Sequence, residues 1–143
     1  MREVTAGPGF VGRLPHGCDR LLEITRICRE RGVRFGRIEG LGAVRRARLG
    51  FYDQSAREYH YLDLDRPLEI AALVGNVSLR DGEPVIHAHV TLADEEGRAF
   101  GGHLAEGTLV FACELFIQPF EGTPLHRAFD HETGLPLWEE EPR

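Results

Sequence analysis

Cysteine is scarce in this 143-residue chain. Cys18, Cys28 and Cys113 are odd in number, widely spaced and form no C-x-x-C pair. That argues against a disulfide framework and against a thiolate zinc site, and leaves the three as small buried hydrophobes. Long apolar runs are missing too. Charge, glycine or histidine interrupts each one within about ten residues, well short of the ~20 that span a bilayer. Residues 1–8 carry no apolar core of the kind a secretory signal needs, so cytoplasm is the expected location. An excess of positive charge is the third absence: 17 Lys and Arg face 23 Asp and Glu, a net charge of −6. Indiscriminate binding to nucleic acid, which rests on neutralising phosphates, is disfavoured by that balance.

What is present is an ordinary globular composition, 42% hydrophobic and 28% charged. A chain of this length buries roughly two thirds of its unfolded surface in one core, so a single domain over 1–143 is expected. Asp19 caps a predicted helix over 19–31, with Leu21, Ile24, Thr25 and Cys28 on its apolar face, Leu22 and Ile27 widening it, and Gly32 as a left-handed stop. Arg20, Glu23, Arg26, Arg29 and Glu30 supply its wet side. From Val33 onward the period changes to alternation and short apolar runs punctuated by Gly, Pro and Asp-Gly. Strands are predicted at 34–39, 47–53, 58–63, 68–78, 85–93 and 108–119. The fold class is therefore α+β: a mostly antiparallel twisted sheet with one principal helix packed on it.

Residues 53–56 read as a hairpin connection, and Asp81-Gly82 as a second turn. Glu39-Gly40-Leu41-Gly42-Ala43 resembles a phosphate loop only superficially, since Arg45 stands where a dinucleotide fingerprint needs a third glycine. It reads as a tight turn. The tail over 121–143 is rich in Pro, Glu and His and is expected to be peripheral, with Leu137 and Trp138 able to dock on the body or on a neighbouring subunit.

The pointed chemistry is in histidine. In Val85-Ile86-His87-Ala88-His89-Val90-Thr91-Leu92, alternation sets His87, His89 and Thr91 on one face and the apolar set on the other. Glu95-Glu96-Gly97 then fits a three-residue hairpin loop with glycine at its left-handed position. If Asp94 pairs with Arg98, His89 falls directly opposite His103, and three imidazoles meet. A loop one residue shorter or longer, or a bulge at Gly101-Gly102, would turn His103 to the other face. Three neutral imidazoles suit zinc or another divalent transition metal, with a fourth position left open. The alternative is a set of hydrogen-bonding histidines without metal. Glu114, Glu106 and Arg13 are further candidates for a supporting role or ligand contact. Glu114 is a charge in an apolar strand, which calls for a partner or an outward position. His16, His60, His126 and His131 have no spacing that singles them out.

Arg13-Leu14-Pro15-His16-Gly17-Cys18-Asp19-Arg20-Leu21, Gly40-Leu41-Gly42-Ala43, Leu49-Gly50-Phe51-Tyr52-Asp53, His87-Ala88-His89 and Gly101-Gly102-His103-Leu104 occur in that order. Together they resemble the plants-and-prokaryotes-conserved (PPC) domain over about residues 10–120. The resemblance implies an antiparallel-rich sheet with a flanking helix, assembled as a homotrimer. It also implies that His87, His89 and His103 correspond to the three histidines thought to bind zinc in microbial members. Plant members join the domain to AT-hook segments, and stand-alone microbial members are called DNA-binding by that association. This sequence has no Arg-Gly-Arg-Pro hook and no basic arm, so the electrostatic footprint of a DNA binder is missing. Three functions follow as expectations: a homotrimeric, metal-carrying regulatory or interaction protein, DNA-binding by family analogy; a zinc hydrolase or lyase with Glu114 or Glu106 as base; and a small-molecule sensor using Arg13.

Overall fold

The structure is a computed structural model that describes Met1 and residues 3–139. Its one helix, α1 (Arg20–Glu30), starts where Asp19 accepts the Leu22 N–H at 3.1 Å and is followed by Gly32 at φ 67°. Ile24 and Cys28 are buried completely, with Leu21 and Ile27 partly buried beside them. Two helix residues depart from the expected faces. Leu22 is 52% exposed, whereas Arg20, expected on the wet side, is buried completely.

The sheet holds β1 (Phe10–Arg13), β2 (Gly36–Asp53), β3 (Glu58–Leu64), β4 (Leu68–Arg80), β5 (Glu83–Ala93), β6 (Ala99–Leu104) and β7 (Leu109–Pro119). Their order is β1-β7-β2-β4-β5-β6, with β3 on the far half of β2. All pairings are antiparallel. A short pairing of β2 with β6, Leu49 with Leu104 and Gly50 with His103, closes β2, β4, β5 and β6 into a ring. A two-stranded ribbon, β8 (Arg127–Phe129) with β9 (Pro136–Trp138), follows. Helix α1 and the inward residues Ile38, Val44, Val77, Val90, Leu92, Val110 and Ile117 form the core. Cys28 and Cys113 lie in it, while Cys18 packs at its margin.

The predicted strands at 34–39 and 47–53 are one strand, and the glycine segment between them is not a turn. β2 runs through it with register shifts between Gly40 and Gly42 and again around Val44. Such bulges bend a strand without ending it, which lets β2 serve two parts of the ring. Gly42 has φ 131°, and a Cβ there would collide with the Ala112 carbonyl of β7. The other turns form as expected. Asp53 Oδ1 accepts the Ser55 and Ala56 N–H groups at 2.8 Å each, and Asp81 and Gly82 both take positive φ in the two-residue β4–β5 connection.

Candidate metal centre

The loop after β5 sets the site's register. Asp94 Oδ1 accepts N–H groups from Glu96 at 3.1 Å and Arg98 at 2.9 Å, the Asp94 N–H donates to the Arg98 carbonyl at 3.1 Å, and Gly97 takes φ 77°. The loop is therefore Glu95-Glu96-Gly97. From it the β5–β6 pairing runs without a shift through Ala93–Ala99, Thr91–Gly101 and Val90–Gly102 to His89–His103. With Ile86, Ala88 and Val90 turned to the core beneath α1, the histidines stand on the opposite, outer face.

Ring centroids lie 5.1 Å apart for His87 and His103, 5.3 Å for His87 and His89, and 5.7 Å for His89 and His103. One ligand atom from each ring can be chosen so that all lie within 4.8 Å of one another. Burial, with positive charge on His103, Arg127 and His89 as lesser causes, holds the His87 imidazole down at about 4. Burial, then His89 and Arg127, lowers His103 as well. Both rings are thus neutral near pH 7 and keep the lone pair a metal needs. His103 Nδ1 is buried without a hydrogen-bond partner among the described residues. A buried ring nitrogen left unbonded is costly in a purely structural histidine and natural in a ligand. The donor set fits a divalent transition metal, and on this chain His87, His89 and His103 would hold it.

The surroundings include residues the sequence did not single out. Tyr59 on β3 packs 5.4 Å from the His103 ring. Arg127 on β8 donates from Nε to Ser78 Oγ at 2.7 Å, from Nη2 to Asn76 Oδ1 at 3.0 Å and from Nη1 to the Pro136 carbonyl at 2.8 Å, with its guanidinium 5.7 Å from the Trp138 ring. Asn76 is the direct cross-strand partner of His87. The segment after β7 therefore crosses the histidine-bearing face, held also by Tyr52 Oη on the Thr133 carbonyl and Arg57 on the His131 and Glu132 carbonyls. Nothing local in the sequence marks Arg127, whose partners on β4 lie 49 and 51 residues away.

The other sequence candidates lie elsewhere. Glu114 is on β7, outside the ring of β2, β4, β5 and β6 that carries the histidines, cross-strand from Arg13 at the sheet edge. Both are exposed. Glu106 is exposed in the turn before β7, where the next residue, Gly107, donates its N–H to Asp19 Oδ2 at the start of α1.

The fold matches that of a metal-containing protein from Archaeoglobus fulgidus over 96% of this chain and 97% of that one, at 45% identity and a TM-score of 0.92. A plant- and prokaryote-conserved (PPC) protein of Pyrococcus horikoshii matches over 100% and 99% of the two chains, at 37% identity and a TM-score of 0.93. A candidate DNA-binding protein of Ralstonia eutropha JMP134 matches over 96% of each chain, at 25% identity and a TM-score of 0.83. The bifunctional protein GlmU of Synechococcus sp. (strain JA-3-3Ab) is 36% identical over 100 residues, 69% of this chain but only 15% of that protein's length. The family model of the Plants and Prokaryotes Conserved (PCC) domain matches residues 1–121. With that match, and with structural likeness along nearly the whole chain, the protein belongs to the Plants and Prokaryotes Conserved (PCC) domain family.

Proposed function

We propose that this chain is a homotrimeric, metal-carrying regulatory or interaction protein whose His87, His89 and His103 hold zinc or another divalent transition metal. Support comes first from three imidazoles on paired strands that bring one ligand atom each within 4.8 Å of one another. The Archaeoglobus fulgidus relative, described as metal-containing, adds to it. Self-association is supported by the outer sheet face, where Val11, Leu41, Val74 and Phe116 are each 44% exposed or more. Large apolar residues gathered on one face are what an oligomer interface covers. A zinc-hydrolase role draws on the open fourth position, but neither Glu114 nor Glu106 stands beside the histidines to serve as base. A connection with DNA, directly or through a DNA-binding partner, draws on the Ralstonia eutropha relative, and the net charge of −6 favours the partner.

Metal analysis of the purified protein tests this reading. One ion per chain is expected, and none in the His87→Ala, His89→Ala, His103→Ala triple variant. Equal metal content in the two proteins would overturn it, and a monomer in sedimentation equilibrium would overturn the trimer.

A further inference from the structure

The charge around the histidines is unbalanced. A bound divalent ion would add two positive charges, and Arg127 adds another beside Asn76, the cross-strand partner of His87. Among the described residues no carboxylate is hydrogen-bonded or ion-paired to Arg127 or to the three histidines. A ligating imidazole donates its other N–H to a carboxylate, a backbone carbonyl or water, and a carboxylate there also offsets the ion's charge. Among the described residues no carboxylate joins the three histidines, which leaves a place for an anion.

Arg127 is equipped to receive it. A guanidinium has five N–H donors, and three are spent on Ser78, Asn76 and the Pro136 carbonyl. One N–H on each terminal nitrogen is left, the paired geometry that matches two oxygens of one anion. These partners also hold the side chain in place, so little ordering is needed on binding. Next to His87 and His89 a recess of about 430 Å³ opens, lined by Phe35, Val74, Phe120 and Trp138. Its one charged lining residue is Arg37, which is ion-paired with Glu39. Arg127 adjoins two of its lining residues, bonding Asn76 and standing over the Trp138 ring, and aromatic walls next to a cation suit a flat organic acid.

We propose that the histidine-held ion and Arg127 together bind the carboxylate of a small, flat organic acid whose apolar body lies in the recess of Phe35, Val74, Phe120 and Trp138. The inference rests on the metal-carrying reading and gives it a ligand class. Arg127 and Trp138 both belong to the β8–β9 ribbon, so such a ligand ties that ribbon to the β5–β6 strands.

The test uses the full chain loaded with Co²⁺, whose visible absorption reports a change of ligand at the ion. Benzoate should shift that spectrum saturably, while benzamide, equal in shape but uncharged, should not. Arg127→Gln should keep one Co²⁺ per chain and weaken benzoate by roughly tenfold or more, and Arg127→Lys should recover part of the loss. Benzamide binding as tightly as benzoate, no response to benzoate, or unchanged benzoate affinity in Arg127→Gln would each overturn the proposal with the metal reading intact. Failure to take up Co²⁺, seen before any acid is added, overturns both. Should Arg127→Gln release the ribbon, as Trp138 fluorescence would show, the benzoate–benzamide comparison on the unaltered protein still decides.

Discussion

Arg20 enters the core from the first turn of α1, completely buried, and its Nε, Nη1 and Nη2 have no hydrogen-bond partner among the described residues. A Cβ on Gly40 would stand 2.5 Å from its Nη2 and 3.7 Å from Cys113 Sγ, which places the guanidinium between the helix and the β2–β7 pair. Burial lowers its proton affinity, as it must when no anion compensates. An unpaired buried cation costs more than an apolar chain of similar length. Arg20→Met is therefore expected to raise stability by about 1–3 kcal/mol, read from the urea midpoint, and a loss of stability would reveal a counter-charge that Arg20 serves. His87 makes an opposite kind of statement. Held at about 4 against an ordinary 6.5, it refuses a proton that the unfolded chain accepts between those values. Stability is then complete above pH 6.5 and falls as pH drops toward 4. Thermal unfolding of chelator-treated protein should show Tm declining across that window, and the decline should be smaller in His87→Gln.

At the scale of elements, two glycines separate a local role from a long-range one. Gly97 closes the β5–β6 loop with φ 77° and open space around its Cα, so Gly97→Ala should cost only about 1 kcal/mol and leave the histidines in place. Gly42→Ala meets the Ala112 carbonyl of β7, at the point where β2 bulges in its pairing with β4, and should cost on the order of 3 kcal/mol. Denaturant midpoints of the two variants give the comparison. The same contrast explains what could be read from the residues. The β5–β6 turn was legible because Asp94, Gly97 and Arg98 specify it within five residues, and alternation then carries the register to His103. The continuity of β2 was not, because glycine punctuates turns and bulges alike and only the partner strand distinguishes them. The helix period found Ile24 and Cys28 but misplaced Arg20 and Leu22, since at a helix end the neighbouring chain decides which side is covered. Arg127 was beyond reach for a related reason: its bonds to Ser78 and Asn76 depend on where the ribbon returns, which no local pattern states.

Across the whole molecule, the site is assembled by pairing rather than by folding around an ion. β6 is bonded to β5 along one edge and to β2 at Gly50–His103 on the other, so His103 is held from both sides, while His87 and His89 lie on a strand paired with β4 along its length. The three imidazoles are thus already gathered by backbone bonds that no metal supplies. A chelator should accordingly leave the far-ultraviolet circular dichroism unchanged and lower Tm only by the binding free energy of the ion, in contrast to zinc modules that unfold when stripped. The closed ring of strands works as a preorganised receptor: the entropy of bringing three side chains together is spent once, when the chain folds, and each later arrival or departure of an ion is reversible exchange on a standing scaffold.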